Sequence, residues 1–198
     1  QVKLRHQTKL GIHTHNDCGL ALANSLVAVQ GGASMVQGTI NGYGERCGNV
    51  DLISVVGNLH FKLGARCVSE KSVGQLTELS RFVSEVANVP PQNQRPFVGK
   101  SAFAHKGGVH VSAVLKLPEA YEHMPPEQVG NRRRVLVSDL SGRSNIDFKS
   151  GEMGIKLGGN GFDSEKIVRE IKRLEDEGYQ FDAAEGSLEL LIKKVTGQ

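Results

Sequence analysis

The chain has 198 residues, with 24 Lys and Arg against 21 Asp and Glu and 38% hydrophobic residues, the composition of a soluble globular protein and not of a disordered or fibrous one. No apolar run approaches the ~20 residues that a bilayer-spanning helix needs, and the opening QVKLRHQTKL lacks the apolar stretch of a secretory signal, so a membrane protein is not expected. A net charge of +3, a single tight basic cluster at Arg132-Arg133-Arg134, 5% aromatics and no Trp argue against a nucleic-acid surface.

The segment KLGIHTHN (residues 9–16) alternates as a strand and runs into the turn signal Asn16-Asp17-Cys18-Gly19. A period of two puts His13 and His15 on one side. Leu22, Leu26 and Val29 recur at helical spacing, and Gly31-Gly32 stops that helix. MVQGTIN (residues 35–41) reads as a second strand. The loop from Gly42 to Asn49 follows, and VDLISVVGNLHFKLG is again apolar at helical spacing. The order to residue 63 is strand, helix, strand, helix.

Ser72 to Gln75 reads as a capping box opening a helix with an apolar stripe at Val73, Leu76, Leu79, Phe82, Val83 and Val86, ended by Pro90-Pro91. The polar, proline-bearing stretch 90–98 marks a boundary between structural regions. Residues 101–117 and 118–130 are expected as helical pieces, and Val135-Leu136-Val137 as a short strand. Asp163 is expected to cap a helix carrying Ile167, Val168, Ile171 and Leu174, with Glu165 paired to Arg169 and Gly178 as its stop; a last helix carries Leu188, Leu191, Ile192 and Val195.

Two histidines two apart on a strand can converge on one divalent ion without distorting the backbone, so His13-Thr14-His15 is a candidate half of a metal site. Asn49, at the end of the next strand-loop unit, could add a carbonyl oxygen on the same rim or simply cap the helix that follows; both roles are open. Glu45-Arg46 reads equally as a structural ion pair. Five residues apart on a helix, His105 and His110 would differ by about 140° around the axis and could not share an ion. His105, His6, His60 and His123 read as surface or structural, and Arg132 to Arg134 as a solvated basic edge rather than a coenzyme phosphate site. The glycine-bearing run 154–161 lacks a phosphate-loop ending and reads as a turn. The three cysteines, at 18, 47 and 67, form no C-x-x-C, which points to a reducing, cytoplasmic setting without disulfides. No hydrolase signature is present.

GIHTHNDCGLALANS followed by QGTINGYGERCGN strongly resembles the 2-isopropylmalate, homocitrate and citramalate synthase family of acetyl-CoA-dependent condensing enzymes. FAHKGGVHVSAV, AYEHMPPEQVGNRR and LVSDLSGRSNI extend the resemblance to about residue 150. With His110-Val111-Ser112 in place of a His-Gln-Asp sequence, they look most like the citramalate branch. The resemblance implies an α/β chain that is the C-terminal portion of a TIM (β/α)8 barrel followed by a mostly helical accessory region. Residues 1–70 would hold the last two βα units with the metal-binding motif, and 71–198 the accessory subdomains. It implies a divalent metal (Mg, Mn or Zn) held by His13, His15 and Asn49 and completed by an Asp from a first barrel strand that this chain lacks. It also implies acetyl-CoA as co-substrate, a 2-oxo acid as acceptor, and a homodimer. His110 and Tyr121 match the family residues that reach the other subunit's active site and assist proton movement at the acetyl methyl group. With most of the barrel absent, the chain alone is expected to be inactive, and either to self-associate through open strand edges or to have the accessory helices fold back over them.

Overall fold

A computed structural model describes residues 8–158 and 161–198. His6, and part of the glycine-bearing turn at 154–161, lie outside the described residues. The chain divides into two compact units, the first made of residues 1–102 and 126–131, the second of 103–125 and 132–198.

In the first unit, β1 (Gly11–His13), α1 (Ala21–Gln30) and β2 (Met35–Gln37) form a βαβ unit, with β1 and β2 parallel in the register Gly11 to Met35, Ile12 to Val36 and His13 to Gln37. Parallel strands need a crossover of this kind, and α1 supplies it. Ala21, Val50, Val55 and Leu59 make the core here, with Leu22, Leu26, Val29 and Val36 packed against it. The second strand is shorter than its apolar run suggests. After Gln37 the chain enters a 3-10 turn at Ile40–Gly42, where Asn41 and Gly42 both take positive φ (65° and 69°) and break the extended run.

Helix α2 (Leu52–Phe61) is capped by Asp51, whose side chain accepts from Ile53 N (3.0 Å) and Ser54 Oγ (3.1 Å). Gly57 lets α2 approach closely, because a Cβ there would lie 2.8 Å from the Phe97 ring. The expected helix opening at Ser72 starts earlier and in two pieces. Ser69 caps α3 (Glu70–Val73), and α4 (Leu76–Val86) follows after Gly74-Gln75. The expected apolar stripe is buried only at its start, at Val73 and Leu76; farther along α4 Phe82 and Val86 are 61% and 71% exposed, while Thr77, Ser80 and Ser84 are buried.

In the second unit β3 (Ala104–His105) pairs in parallel with β4 (Arg134–Val135), bracketing α5 (Gly108–Lys116) and a 3-10 turn at Pro118–Ala120. Most of the remaining chain is α6 (Arg143–Glu152), α7 (Phe162–Asp176) and α8 (Glu185–Thr196). Val137, Ile146, Ile155, Ile167, Ile171, Phe181, Leu188 and Ile192 fill one continuous core between them. Helix α7 begins at Gly161 in the left-handed conformation instead of at an Asp163 cap; the Asp163 carboxylate instead accepts from Gly158 N at 2.6 Å. Glu165 pairs with Arg143 at 3.2 Å, not with Arg169. Among the described residues no helix is long and apolar enough to cross a membrane, the three cysteines are exposed and free, and the strands form two two-stranded parallel sheets, with no closed barrel.

Candidate functional site

The alternation of β1 continues past its last residue and turns both histidines outward on one side. His13 and His15 are exposed, with their Nε2 atoms 3.3 Å apart and ring centroids 5.1 Å apart. Thr14 between them points the other way, toward α1, where its hydroxyl meets Ser25 Oγ at 3.0 Å. That contact pins the strand end from behind.

Asn49 is drawn to the same strand end. It bridges to His15 in antiparallel fashion, Val50 N donates to Thr14 O (3.1 Å), and Asn16 N donates to Gly48 O (2.9 Å). The loop from Gly42 to Asn49 is closed on its own backbone, with Asn49 N donating to Gly42 O (3.1 Å) and Gly48 N to Glu45 O (2.9 Å). Gly48 is required at this closure. Its φ is +85°, and a Cβ would lie 2.1 Å from Gly42 O. With Asp51 serving as the helix cap, Asn49 is left out of that role. Its Nδ2 donates to Tyr43 O (3.2 Å), and its Oδ1 is buried without a partner. A buried acceptor left unsatisfied is costly unless something binds it.

Arg46 makes its main ion pair with Asp17, in a two-point contact at 2.7 and 3.0 Å, and sits 3.8 Å from its neighbour Glu45. This tie joins the His-Thr-His-Asn-Asp segment to the loop; hydrogen bonding to Arg46 holds the Asp17 carboxyl below its usual range. Beneath the loop lies a polar network that sequence reasoning missed. Asn41 Nδ2 donates to Ser80 O (2.8 Å) and Ser84 Oγ (3.1 Å), Ser80 Oγ donates to Asn41 Oδ1 (2.6 Å), and Arg95 Nη1 reaches both Asn41 O (2.8 Å) and Asp51 Oδ2 (3.1 Å). The only local hint was the turn-forming Asn41-Gly42 pair. A cavity of about 700 Å³ opens here, lined by Asn16, Tyr43, Asn49, Asp51 and Arg95 among others.

Two imidazole nitrogens and an orphaned amide oxygen are a donor set suited to a borderline divalent ion. Among the described residues no three His, Cys, Asp or Glu side chains converge to hold a metal, so His13, His15 and Asn49 make an incomplete set without a carboxylate.

The other two candidates lie in the second unit. His110 is in the first turn of α5, and Tyr121 follows the 3-10 turn at Pro118–Ala120; their ring centroids are 4.6 Å apart, tilted by 33°, and both are exposed. His105 is on β3 and not on the helix of His110, so the angular argument against their sharing an ion gives way to a simpler fact: His105 Nε2 is 3.1 Å from Glu122 Oε1. Arg133 is no solvated edge residue, since it holds Glu122 by two hydrogen bonds of 2.7 and 2.6 Å. His60 pairs with Glu70 at 3.1 Å, and His123 stacks on Phe103.

Two family models match in tandem, HMGL-like over residues 1–83 and homocitrate synthase post-HMGL domain-like over residues 97–179. Among the relatives, the (R)-citramalate synthase of Aquifex aeolicus is 54% identical over 95% of this chain and 36% of its own length, and that of Synechocystis is 52% identical over 96% of this chain and 35% of its own length. The 2-isopropylmalate synthase of Methanocaldococcus jannaschii is 36% identical over 100% of this chain and 38% of its own length. The chain thus spans little more than a third of the length of these relatives. It belongs to the family of citramalate, homocitrate and 2-isopropylmalate synthases, in which an HMGL-like domain of the TIM-barrel class is followed by a post-HMGL domain.

Proposed function

We propose that this chain is part of an acyltransferase that condenses acetyl-CoA with a 2-oxo acid, and that the oxo acid is pyruvate and the product citramalate. The chemistry rests on one observation above all, the meeting of the His13 and His15 nitrogens at a strand end bridged to Asn49, whose Oδ1 has no other partner. The choice of pyruvate over the bulkier acceptor of 2-isopropylmalate synthase is supported by identities of 44–54% to citramalate synthases against 36–42% to 2-isopropylmalate synthases. In the same reading, β1, α1, β2 and α2 are the last two βα units of a TIM barrel, residues 71–198 are accessory, and the protein is a cytoplasmic homodimer. A βαβ unit with candidate ligands at strand C-terminal ends supports the barrel.

The reaction removes a proton from the acetyl methyl group, joins that carbon to the ketone carbon of the oxo acid, and hydrolyses the thioester to free CoA. His13, His15 and Asn49, with a carboxylate from elsewhere in the protein, would hold a divalent cation, Mg, Mn or Zn, whose Lewis acidity polarises the ketone. Thr14 and the Asp17–Arg46 pair keep these donors in place. His110 and Tyr121 move the proton at the acetyl methyl, in the site of the partner subunit; the imidazole can take up and return a proton, and Tyr121 offers a hydroxyl beside it.

The test uses the full-length synthase that carries this segment. His13→Ala or His15→Ala should lower Mn²⁺ affinity by more than about 100-fold in calorimetry and abolish CoA release with pyruvate. Unchanged metal binding in both variants would overturn the ligand assignment, and faster CoA release with a branched 2-oxo acid than with pyruvate would overturn the substrate. Mixing inactive His13→Ala and His110→Ala subunits should restore turnover in heterodimers if the sites are composite.

A further inference from the structure

Tyr121 is 48% exposed, and a surface tyrosine has many rotamers and a mobile backbone open to it. The residue after it is held in the opposite way. The Glu122 side chain is 2% exposed, and its carboxylate is gripped from two elements: Arg133, next to β4, donates from Nε and Nη2, and His105, on β3, meets Oε1 at 3.1 Å. Because β3 and β4 are paired, Ala104 with Arg134 and His105 with Val135, the two partners form one rigid floor. From the other direction Tyr121 N and Glu122 N both donate to Pro118 O, at 3.1 and 2.9 Å. Burial alone would drive the carboxyl toward its neutral form, but the hydrogen bonds from Arg133 and His105 outweigh it and keep the group ionised.

A buried ion cluster is a poor way to gain stability, since desolvation offsets most of the attraction and a well-packed apolar side chain would serve as well. What it supplies is a single allowed position. We propose that Glu122, fixed by Arg133 and His105, is a positioning residue that locks the backbone at 121–122 and so holds the Tyr121 ring against His110, touching no reactant itself. The proposal rests on the reading of Tyr121 as a proton-transfer group.

The experiment is a double-mutant cycle on the full-length synthase, with kcat and KM measured for pyruvate and acetyl-CoA and folding checked by circular dichroism. Tyr121→Phe alone must lower kcat; if it does not, the reading of Tyr121 fails, whatever Glu122 does. Glu122→Gln should lower kcat by about 10- to 100-fold, the cost of a misplaced catalytic group, with KM for pyruvate unchanged, and should add little further loss in the Tyr121→Phe background. Arg133→Lys and His105→Gln should repeat the pattern more weakly, and they carry the test if Glu122→Gln does not fold. Folded variants with normal kcat, or a loss as large in the Tyr121→Phe background as in the parent, would overturn the proposal.

Discussion

Helices α4 and α7 are both strongly two-faced in sequence, yet α4 buries mostly hydroxyl side chains and α7 mostly aliphatic ones. In α7 the apolar positions Ile167 and Ile171 are fully buried among the core of the second unit. In α4 the inner face carries Thr77, Ser80 and Ser84 beside Leu76, and Phe82 and Val86 look outward. The reason lies in the partners. Thr77 Oγ1 donates to Val129 O at 2.7 Å, Ser80 donates to Asn41, and Ser84 meets both Asn41 and the Tyr43 hydroxyl. Ser80 and Ser84 satisfy the side chains of Asn41 and Tyr43 at the turn that leads into the Asn49 loop, and Thr77 satisfies the Val129 carbonyl, which no aliphatic residue could do. Periodicity reports that a helix has two faces; the polar groups waiting beneath decide which one is covered.

The contrast can be broken first in α7. Ile171→Ala should destabilise the second unit by about 2–5 kcal/mol, the cost of a cavity in a closed aliphatic core, read from the midpoint of urea unfolding. Ser80→Ala in α4 should cost less, about 1–3 kcal/mol, because it strips the buried Asn41 Oδ1 of its donor; it should also lower metal affinity at the neighbouring loop. If Ser80→Ala proved as silent as a surface change, the polar face of α4 would be filler and not a support.

A third measurement separates buried charge from buried hydroxyl. Glu122 has its carboxyl held below the ordinary value by Arg133 and His105 against the opposing effect of burial, so its contribution is complete above the unfolded carboxylate value of about 4.3 and is lost as pH falls through the lower folded value. Between pH 7 and 3 the parent should therefore lose more stability than Glu122→Gln, and parallel pH profiles would contradict the ionised cluster. The smallest effect is expected at the outer face of α4, where Phe82→Ser should change stability by less than about 0.5 kcal/mol.

These cases show where the sequence was legible. The convergence of His13 and His15 needed only the two-residue period of a strand, and it is observed. The pairing of His110 with Tyr121 as functional residues came only through family resemblance, since nothing in the ten residues between them, a proline included, predicts two rings 4.6 Å apart. Asn49 and Asp51 are both good helix caps by residue type, and only the backbone path, with Asn41 and Gly42 at positive φ, decides for Asp51. The partners of Arg46, Arg95 and Arg133 were illegible for a common reason. Each binds a carboxylate eleven or more positions away, Asp17, Asp51 and Glu122, and a side-chain pattern carries no information about such closures.

The loop that ends at Asn49 is registered by main-chain hydrogen bonds from Asn49 N, Gly48 N and Asn16 N, together with the Arg46–Asp17 pair and the Asn49 Nδ2 bond to Tyr43 O. Its outward side chains at Glu45 and Cys47 therefore carry little of the burden of holding Asn49 in place. Such a segment is modular: the identities at 45 and 47 can be diversified, by drift or in a designed library, to alter the chemistry displayed along the rim while the Asn49 amide stays where it is. Gly44 and Gly48 are the fixed points of that freedom, because a Cβ at either would strike Asn49 or Gly42.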